Sequence, residues 1–296
     1  MAHSGDWFEN ACEVNNDMQL GPIIEQWQQM VQAAPGLLRK KTDVGHHDSK
    51  SSRDPLDDFV SMENDMAGDM CTLIDGMLNA LKKVLFGSGL LTPAIQQIAA
   101  SLLAGAVPSE WNSRWEGPEK PQSWLRELVR KRMSLSKWRS ASSRGGLLND
   151  PVALGDLFNP ATFINALRQQ TARMLNVAID KVKMVCSWDN KKDRMGGCPL
   201  PCTLSSLLLQ GASFEKGMLR ESASDASELT PAPNVTIGFV EKSTADEVSV
   251  RSVIPIPVYF TPTREEFLME LDMPTDGGDD AKWVLAGVAL FLNEDD

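Results

Sequence analysis

The stretch LFNPATFINALRQQTARMLNVAIDKVKMVCSW, residues 157–188, decides the fold class, because a helical pattern ends in it and a strand pattern begins. Asn159 and Pro160 predict a helix start, in which a capping side chain is followed by a proline that needs no hydrogen-bond partner. An apolar stripe with a 3.6-residue period then continues to about Ile179. From Val182 onward, β-branched and aromatic residues form short runs, which are typical of strands.

The region after Val182 contains six such runs, separated by Gly, Pro, Asn, Asp and Ser: VKMVCSW, TLSSLLLQGASF, NVTIGFV, IPIPVYFTP, EFLMELDMP and WVLAGVALFL. Six short strands within about 115 residues predict a small antiparallel barrel or sandwich. Pro255 and Pro257 lie in one of these runs and indicate an edge or irregular strand, because proline cannot donate to a ladder.

The residues before 157 have helical patterns, so the predicted fold class is α+β, with an N-terminal helical bundle followed by a β domain. We predict helices over residues 18–34, 55–86, 93–104 and 121–139, of which the second and third begin at the capping pairs Asp54-Pro55 and Thr92-Pro93. Gly21-Pro22 is predicted to mark the start of the first, and Gly87 to end the second. The predicted buried stripe of the second helix is Phe59, Met62, Met66, Met70, Leu73, Met77, Leu81 and Val84. Residues 35–53 are polar and rich in Gly and Ser, which indicates a flexible connection.

The composition disfavours several functional classes. The chain has 296 residues, of which 42% are hydrophobic, and its length predicts about two domains. The formal net charge is -11 and the pI is about 4.9, whereas a binder of nucleic acid or of anionic membranes is expected to be basic. The longest apolar run, residues 283–292, has ten residues, and a membrane-spanning helix needs about 20. The N-terminus lacks the pattern of a signal peptide.

No catalytic motif is found. The three histidines, His3, His46 and His47, lie in polar surroundings, and no stretch fits the phosphate-binding pattern G-x-x-x-x-G-K-[ST]. Cys198 and Cys202, in CPLPC with Cys186 nearby, are half of a possible zinc site, but a structural interpretation is favoured. Acidic clusters at 57–58, 276–280 and 294–296 suit a helix start, a hairpin loop and a terminus better than they suit catalysis.

One segment has a net charge opposite in sign to that of the whole chain. Residues 122–144 have a net charge of +6, and four tryptophans, Trp111, Trp115, Trp124 and Trp138, fall within 28 residues. A basic helix in an acidic chain indicates a docking surface for an acidic partner or a neighbouring domain, with a solvated helical face as the alternative. Clustered tryptophans indicate core packing or a domain interface.

Several motifs in order resemble the C-terminal end of a dynein heavy chain. They are LTPAIQQIAASLLAGAVPSEW, SRWEGPEKPQSWLRELVRKRMSLSKW, LGDLFNPATFINALRQQTARMLNVAIDKVK and the closing KWVLAGVALFL. The forms WEGPE and FNPATFINALRQQTAR, together with TLSSLLLQGASFE, resemble most the dynein 2 subclass, which drives retrograde intraflagellar transport. The resemblance covers about residue 18 to the end and is weakest over 189–202 and 222–252.

The resemblance implies three parts: residues 1–110 as the small subdomain of the sixth AAA+ module, 111–181 as the helical part of the C-terminal domain, and 182–296 as an incomplete β-barrel. It implies no cofactor and no catalytic or metal-binding residue here, with ATP bound in other modules of the parent motor. The implied partners are the other AAA+ modules of the same heavy chain, and microtubules only through the parent motor, in the cytoplasm, cytoskeleton and cilium or flagellum.

The implied role is mechanical: the segment braces the AAA+ ring and modulates force and processivity. We expect its contact surface to include Trp111, Trp115, Trp124, Arg126, Arg130, Arg132 and Trp138. Charge reversal at Arg130 and Arg132 should then alter motility and leave thermal stability nearly unchanged. The alternative is a stand-alone interaction module that uses the β domain for docking, and an enzyme with carboxylate or cysteine chemistry is a third, weaker hypothesis.

Overall fold

The structure is a computed structural model that describes residues 13–38, 54–142, 146–188, 195, 197–221, 228–245, 252–277 and 280–293. Most of the predicted connection over residues 35–53 therefore lies outside the described residues, as do the first twelve residues. The protein divides into two compact units. The first consists of residues 1–50, 62–137 and 296, and the second of residues 51–61 and 138–295.

The described helices are α1 (Glu13–Ala33), α2 (Pro55–Leu85), α3 (Pro93–Leu103), α4 (Ser109–Asn112), α5 (Pro121–Ser142), α6 (Pro160–Leu175), α7 (Lys242–Ala245) and α8 (Ala281–Leu285). The strands are β1 (Val152–Ala153), β2 (Val182–Ser187), β3 (Cys202–Ser205), β4 (Leu208–Gln210), β5 (Ala212–Glu215), β6 (Met218–Glu221), β7 (Thr230–Pro231), β8 (Val235–Glu241), β9 (Val253–Tyr259), β10 (Phe267–Pro274) and β11 (Ala289–Phe291). The predicted α+β class is confirmed.

Helix α1 does not begin at Gly21-Pro22, as predicted, but continues through it. An internal proline removes one backbone hydrogen bond and strains the preceding turn. Buried side chains on both sides of this point offset that cost, among them Leu20, Ile24 and Trp27. The indole nitrogen of Trp27 also donates to Asp75 Oδ1 at 3.1 Å, which fixes α1 against α2.

The ends of α2 and α3 confirm the predicted capping signals. Gly87 has a φ of 66°, and its N–H and that of Ser88 bond the carbonyls of Val84 and Lys83 at 3.0 and 2.8 Å. Thr92 accepts from the N–H of Ile95 at 3.4 Å.

The buried stripe of α2 agrees with the prediction only in part: Phe59, Met70 and Leu81 are buried as predicted, whereas the other five predicted positions are not. Met62 is exposed, and the described buried apolar positions after it are Ala67, Met70, Cys71, Ile74, Leu78 and Leu81. The prediction followed the methionines, which recur at helical spacing. Spacing alone does not show which side of this 31-residue helix packs against neighbouring helices.

Helix α6 ends at Leu175, four residues before the predicted end. Asn176 has a left-handed φ of 54°, and the N–H of Val177 bonds the carbonyl of Ala172, so the backbone leaves the helix there. Ile179 lies in a short 3₁₀ turn instead. At the other end, the predicted capping hydrogen bond from the Asn159 side chain is not made.

The strands of the second unit form three open ladders. One has the order β1-β3-β8-β2, one has the order β10-β9-β11-β4-β7, and β5 pairs with β6. Most pairings are antiparallel, but β1 with β3 and β11 with β9 are parallel, which the sequence did not predict. Pro255 and Pro257 lie within β9 and pair with β10. On the other side of β9, strand β11 pairs only with Val258 and Tyr259, so among the described strands the two prolines have a neighbour on one side only. The strand is therefore an edge locally, as prolines require.

Residues 202–215 form one bent segment that contributes to all three ladders. Its bends lie at Ser206, with a φ of 62°, and at Gly211, with a φ of 79°. A side chain at Gly211 would place its Cβ 2.6 Å from the carbonyl oxygen of Ala286. Glycine is required there for both reasons, since the left-handed region disfavours a Cβ and the neighbouring backbone leaves no room for one.

The two larger ladders are also linked by side chains. The Trp188 indole nitrogen donates to the carbonyl oxygen of Asp272 at 2.8 Å, and the Cys186 thiol donates to the same oxygen at 3.1 Å. Asp272 lies on β10, so these bonds join the end of the first ladder to the edge strand of the second.

Candidate interface segment

Three of the predicted interface tryptophans form a stack inside the first unit. The ring centroids of Trp111 and Trp124 lie 5.4 Å apart, and those of Trp115 and Trp124 lie 5.1 Å apart. Trp111 is 1% exposed and Trp124 is fully buried. Gly117 packs on two of the rings, since a Cβ there would lie 2.7 Å from Trp115. Trp111 and Trp124 are therefore core residues of this unit rather than surface contacts.

Arg132 is also internal. Its guanidinium donates to the carbonyl oxygens of Leu37, Asn64 and Gly36 at 3.2, 3.0 and 3.2 Å, and makes a further short bond to the Asn64 side-chain oxygen. The residue is only 7% exposed. The expectation that Arg132 presents its charge to a partner is therefore corrected: its planar fork of donors joins α5 to α2 and to the turn after α1.

Lys131, beside Arg132, is buried as well. Its ammonium lies 5.3 Å from the centre of the Trp115 ring, which stabilises a cation through the ring's negative face. The pKa of Lys131 is lowered to about 8, mainly by burial and also by the Arg130 charge, while Glu127 and Glu63 oppose the shift. The two adjacent cations 131 and 132 thus contribute to the interior of the unit.

The low pKa of Lys131 predicts a pH-dependent stability. In the folded protein its proton is lost near pH 8, whereas an unfolded lysine keeps it to about 10.5. The free energy of unfolding should therefore rise with pH across this window, by at most about 1.4 kcal/mol per pH unit. Denaturant unfolding between about pH 7 and pH 10 measures the slope. Lys131→Arg is the matched control, because arginine stays charged. If the free energy of unfolding depends on pH equally in the wild-type and Lys131→Arg proteins, the low pKa is wrongly assigned to Lys131.

The exposed part of α5 is a narrower surface, which we call the basic stripe: Arg126, Arg130, Met133 and Lys137. Their spacing of four, three and four places them on one helical face. Arg130 forms an ion pair with Glu127 at 2.7 Å, and Arg126 donates to the Ser123 hydroxyl at 3.1 Å. Both guanidinium groups are thus positioned by their own helix. Of the predicted residues, Arg126 and Arg130 are exposed, and Trp115 and Trp138 are partly exposed.

Trp138 belongs to the second unit. Its ring centroid lies 5.5 Å from that of Phe163 and 6.3 Å from that of Phe59, both in edge arrangements, and its indole nitrogen donates to the Leu147 carbonyl at 2.6 Å. It is a partly buried packing residue. Six of the seven predicted residues lie in the first unit, and Trp138 lies in the second.

The described cysteines near CPLPC, Cys186, Cys198 and Cys202, are free thiols. Burial raises the pKa of Cys186 and of Cys202 to about 12, and it raises the pKa of Cys198 as well. Cys198 Sγ lies against Gly238 of β8, where an added Cβ would clash with it. Within the described ranges no three His, Cys, Asp or Glu side chains converge in a way that could bind a metal.

A cleft in the second unit is lined by charged side chains of both signs. Arg220 on β6 pairs with Asp276 at 2.9 Å, and Lys282 on α8 pairs with Glu221 at 3.3 Å. These pairs link the β5–β6 hairpin to its neighbours. In the described residues no helix is both long and apolar enough to cross a bilayer.

Comparison with known proteins defines the class. Residues 5–292 match the family model of the C-terminal domain of dynein heavy chains, and the protein belongs to this family. It is 34% identical to "Cytoplasmic dynein 2 heavy chain 1" of Tripneustes gratilla and 33% identical to that of Chlamydomonas reinhardtii. Each of these two alignments covers 93% of the 296 residues. The "Dynein beta chain, ciliary" of Heliocidaris crassispina is 27% identical over 75% of that length. The 296 residues span only 6–7% of the length of the two dynein 2 relatives.

Proposed function

We propose that this chain is the C-terminal segment of a dynein 2 heavy chain, where it braces the AAA+ ring and modulates force and processivity in retrograde intraflagellar transport. The single observation that supports this most is the family match over residues 5–292. The higher identity to dynein 2 heavy chains than to a ciliary beta chain supports the subclass.

The proposed role is non-catalytic. ATP binding and hydrolysis take place in other modules of the parent motor, and microtubules are contacted only through that motor. The partners of this segment are the other AAA+ modules of the same heavy chain, in the cytoplasm and the cilium. The ladders of the second unit are the walls of an incomplete barrel in this proposal, and the bonds to Asp272 support it by joining two of them.

Rigidity is the physical basis of a brace. A subunit that moves as a packed body transmits a rotation, whereas a loosely packed one deforms. The stacked indoles of Trp111, Trp115 and Trp124 and the buried bonds of Arg132 give the first unit such packing. The basic stripe on α5 is then the proposed contact with an acidic surface of the ring, because Arg126 and Arg130 are exposed and already oriented.

The proposal predicts a motility defect on charge reversal. Arg126→Glu with Arg130→Glu in the parent heavy chain should change run length or stall force at least about twofold, because an attractive contact becomes repulsive. Single-molecule motility measures this. Lys181→Glu with Lys183→Glu is the control, since it makes the same change of charge at exposed positions of the second unit. Wild-type motility of the Arg126/Arg130 variant would remove the stripe from the proposed contact.

A further inference from the structure

Strand β11 follows every other described strand in the sequence, yet it lies in the middle of the five-stranded ladder, between β9 and β4. All three of its residues pair with β4, and Leu290 and Phe291 also pair with β9. After the strand, the N–H of Leu292 bonds the carbonyl oxygen of Tyr259 at 3.1 Å. We call residues 288–293 the strap. Without the strap, this ladder would divide into a β9–β10 part and a β4–β7 part.

The strap also packs against the residues that follow β1. A Cβ at Gly155 would lie 2.6 Å from the Asn293 side-chain oxygen and 2.9 Å from the Leu292 carbonyl oxygen, so Gly155 lies directly against the strap. From position 288 to position 292 the strap is buried. It therefore contacts β4 and β9 in the five-stranded ladder and the turn after β1, a strand of the four-stranded ladder. One short segment thus joins parts of the second unit that are distant in the sequence.

Arg264, in the loop between β9 and β10, reaches across the strap. Its guanidinium donates to the Gly287 carbonyl oxygen, immediately before the strap, at 2.7 Å and to the Gln210 side-chain oxygen on β4 at 2.8 Å. The guanidinium carbon also lies 5.7 Å from the centre of the Phe291 ring. Arg264 has a left-handed φ of 61°, which a Cβ disfavours, and such strain persists only where surrounding contacts compensate it. These bonds therefore hold both the strained loop and the start of the strap in place.

The strand pairings of the strap are short compared with those of the neighbouring strands. Strand β9 pairs with β10 over residues 253–259, and β2 pairs with β8 over the whole of residues 182–187. The strap pairs with β4 only over Ala289–Phe291. Short segments held by few backbone bonds are the first parts of a protein to open locally.

We propose that the strap opens and closes separately from the rest of the second unit, and that Arg264 is the clasp that holds it closed. This inference goes beyond the proposed function and does not depend on it. Opening leaves β4 and β9 with unpaired edges, which makes the second unit less rigid and able to accept another strand.

Native-state hydrogen exchange of the full 296-residue chain tests this inference. Exchange is followed by peptide mass spectrometry at several denaturant concentrations below the unfolding transition. We expect the strap amides to exchange through an opening that depends little on denaturant, because the release of a short segment exposes little surface. The amides of β8 should exchange through an opening that depends much more strongly on denaturant. Equal dependence in the strap and in β8 would overturn the inference, because the strap would then open only together with the rest of the second unit.

Arg264→Ala tests the clasp. It should accelerate exchange in the strap at least about tenfold and leave exchange in β8 nearly unchanged, because hydrogen bonds to a charged group are among the stronger ones. Lys216→Ala is the matched control, since Lys216 is also an exposed cation with a left-handed φ, of 53°, but lies in the β5–β6 turn. Unchanged exchange in the strap, equal acceleration in the strap and β8, or equal acceleration of the strap by the control would each overturn the role of Arg264. The wild-type measurement decides whether the strap opens separately even if Arg264→Ala does not fold.

Discussion

Replacing Arg132 by leucine should destabilise the first unit by about 3–5 kcal/mol. The guanidinium bonds the carbonyl oxygens of Gly36, Leu37 and Asn64, and these bonds are largely shielded from water. The substitution removes the donors and leaves buried acceptors without partners, which costs more than the bonds themselves contribute. Chemical denaturation, followed by tryptophan fluorescence, measures the loss as a lower midpoint.

The control for this experiment is Arg126→Leu on the same helix. Arg126 is exposed and bonds only the hydroxyl of Ser123 among the partners described, so its loss should cost less than about 1 kcal/mol. Arg132→Lys should recover only part of the loss, because an ammonium cannot supply the fork of donors that faces several carbonyls. Equal midpoints for the Arg132 and Arg126 variants would show that Arg132 is not an internal residue.

Gly211→Ala should have the second large effect, a loss of about 2–4 kcal/mol in the second unit. One part is the cost of a left-handed conformation at φ 79°, which a Cβ disfavours. The other part is the contact of the new Cβ with the Ala286 carbonyl at 2.6 Å, which forces the β4–β5 bend away from the residues before β11. Thermal unfolding of the two proteins measures the difference.

Gly277→Ala separates these two parts. Gly277 also has a left-handed φ, of 83°, but no described atom lies within 4 Å of a Cβ built there. This control should therefore cost only the conformational part, about 1 kcal/mol. If Gly211→Ala costs no more than Gly277→Ala, the backbone at 286–288 does not approach Gly211 as closely as the structure describes.

Several features of the fold could be predicted because their causes are local. Thr92 followed by Pro93 starts a helix through its own side chain and fixed φ, and Gly87 ends one through its own left-handed conformation. The change from a 3.6-residue period to short β-branched runs near Val182 is equally local, and β2 begins there. The early end of α6 at Asn176 shows the limit of periodicity, since Ile179 continues the apolar spacing after the helix has ended.

The candidate interface was harder to predict, because the contacts that bury or expose its residues come from distant parts of the sequence. The sequence identifies the cations and tryptophans of residues 111–144, but charges occur around most of α5, and composition does not show which side is solvated. Arg130 and Arg132 differ by two positions, so they point in different directions on a helix, one exposed and one buried.

The sequence by itself determined the helix start at Thr92-Pro93, the position at which helices give way to strands and the dynein family. It did not determine the class of every segment, since the run 283–292, predicted as a strand, begins in helix α8 and forms a strand only at Ala289–Phe291. Tertiary structure decided which residues are internal and how the strands pair. The reason is the range of the interactions: a cap or a turn acts over three or four residues, whereas Arg132 meets Asn64 and Leu37 from 68 and 95 positions away. Bonds between such distant residues exist only after the polypeptide has folded, so no local pattern contains them.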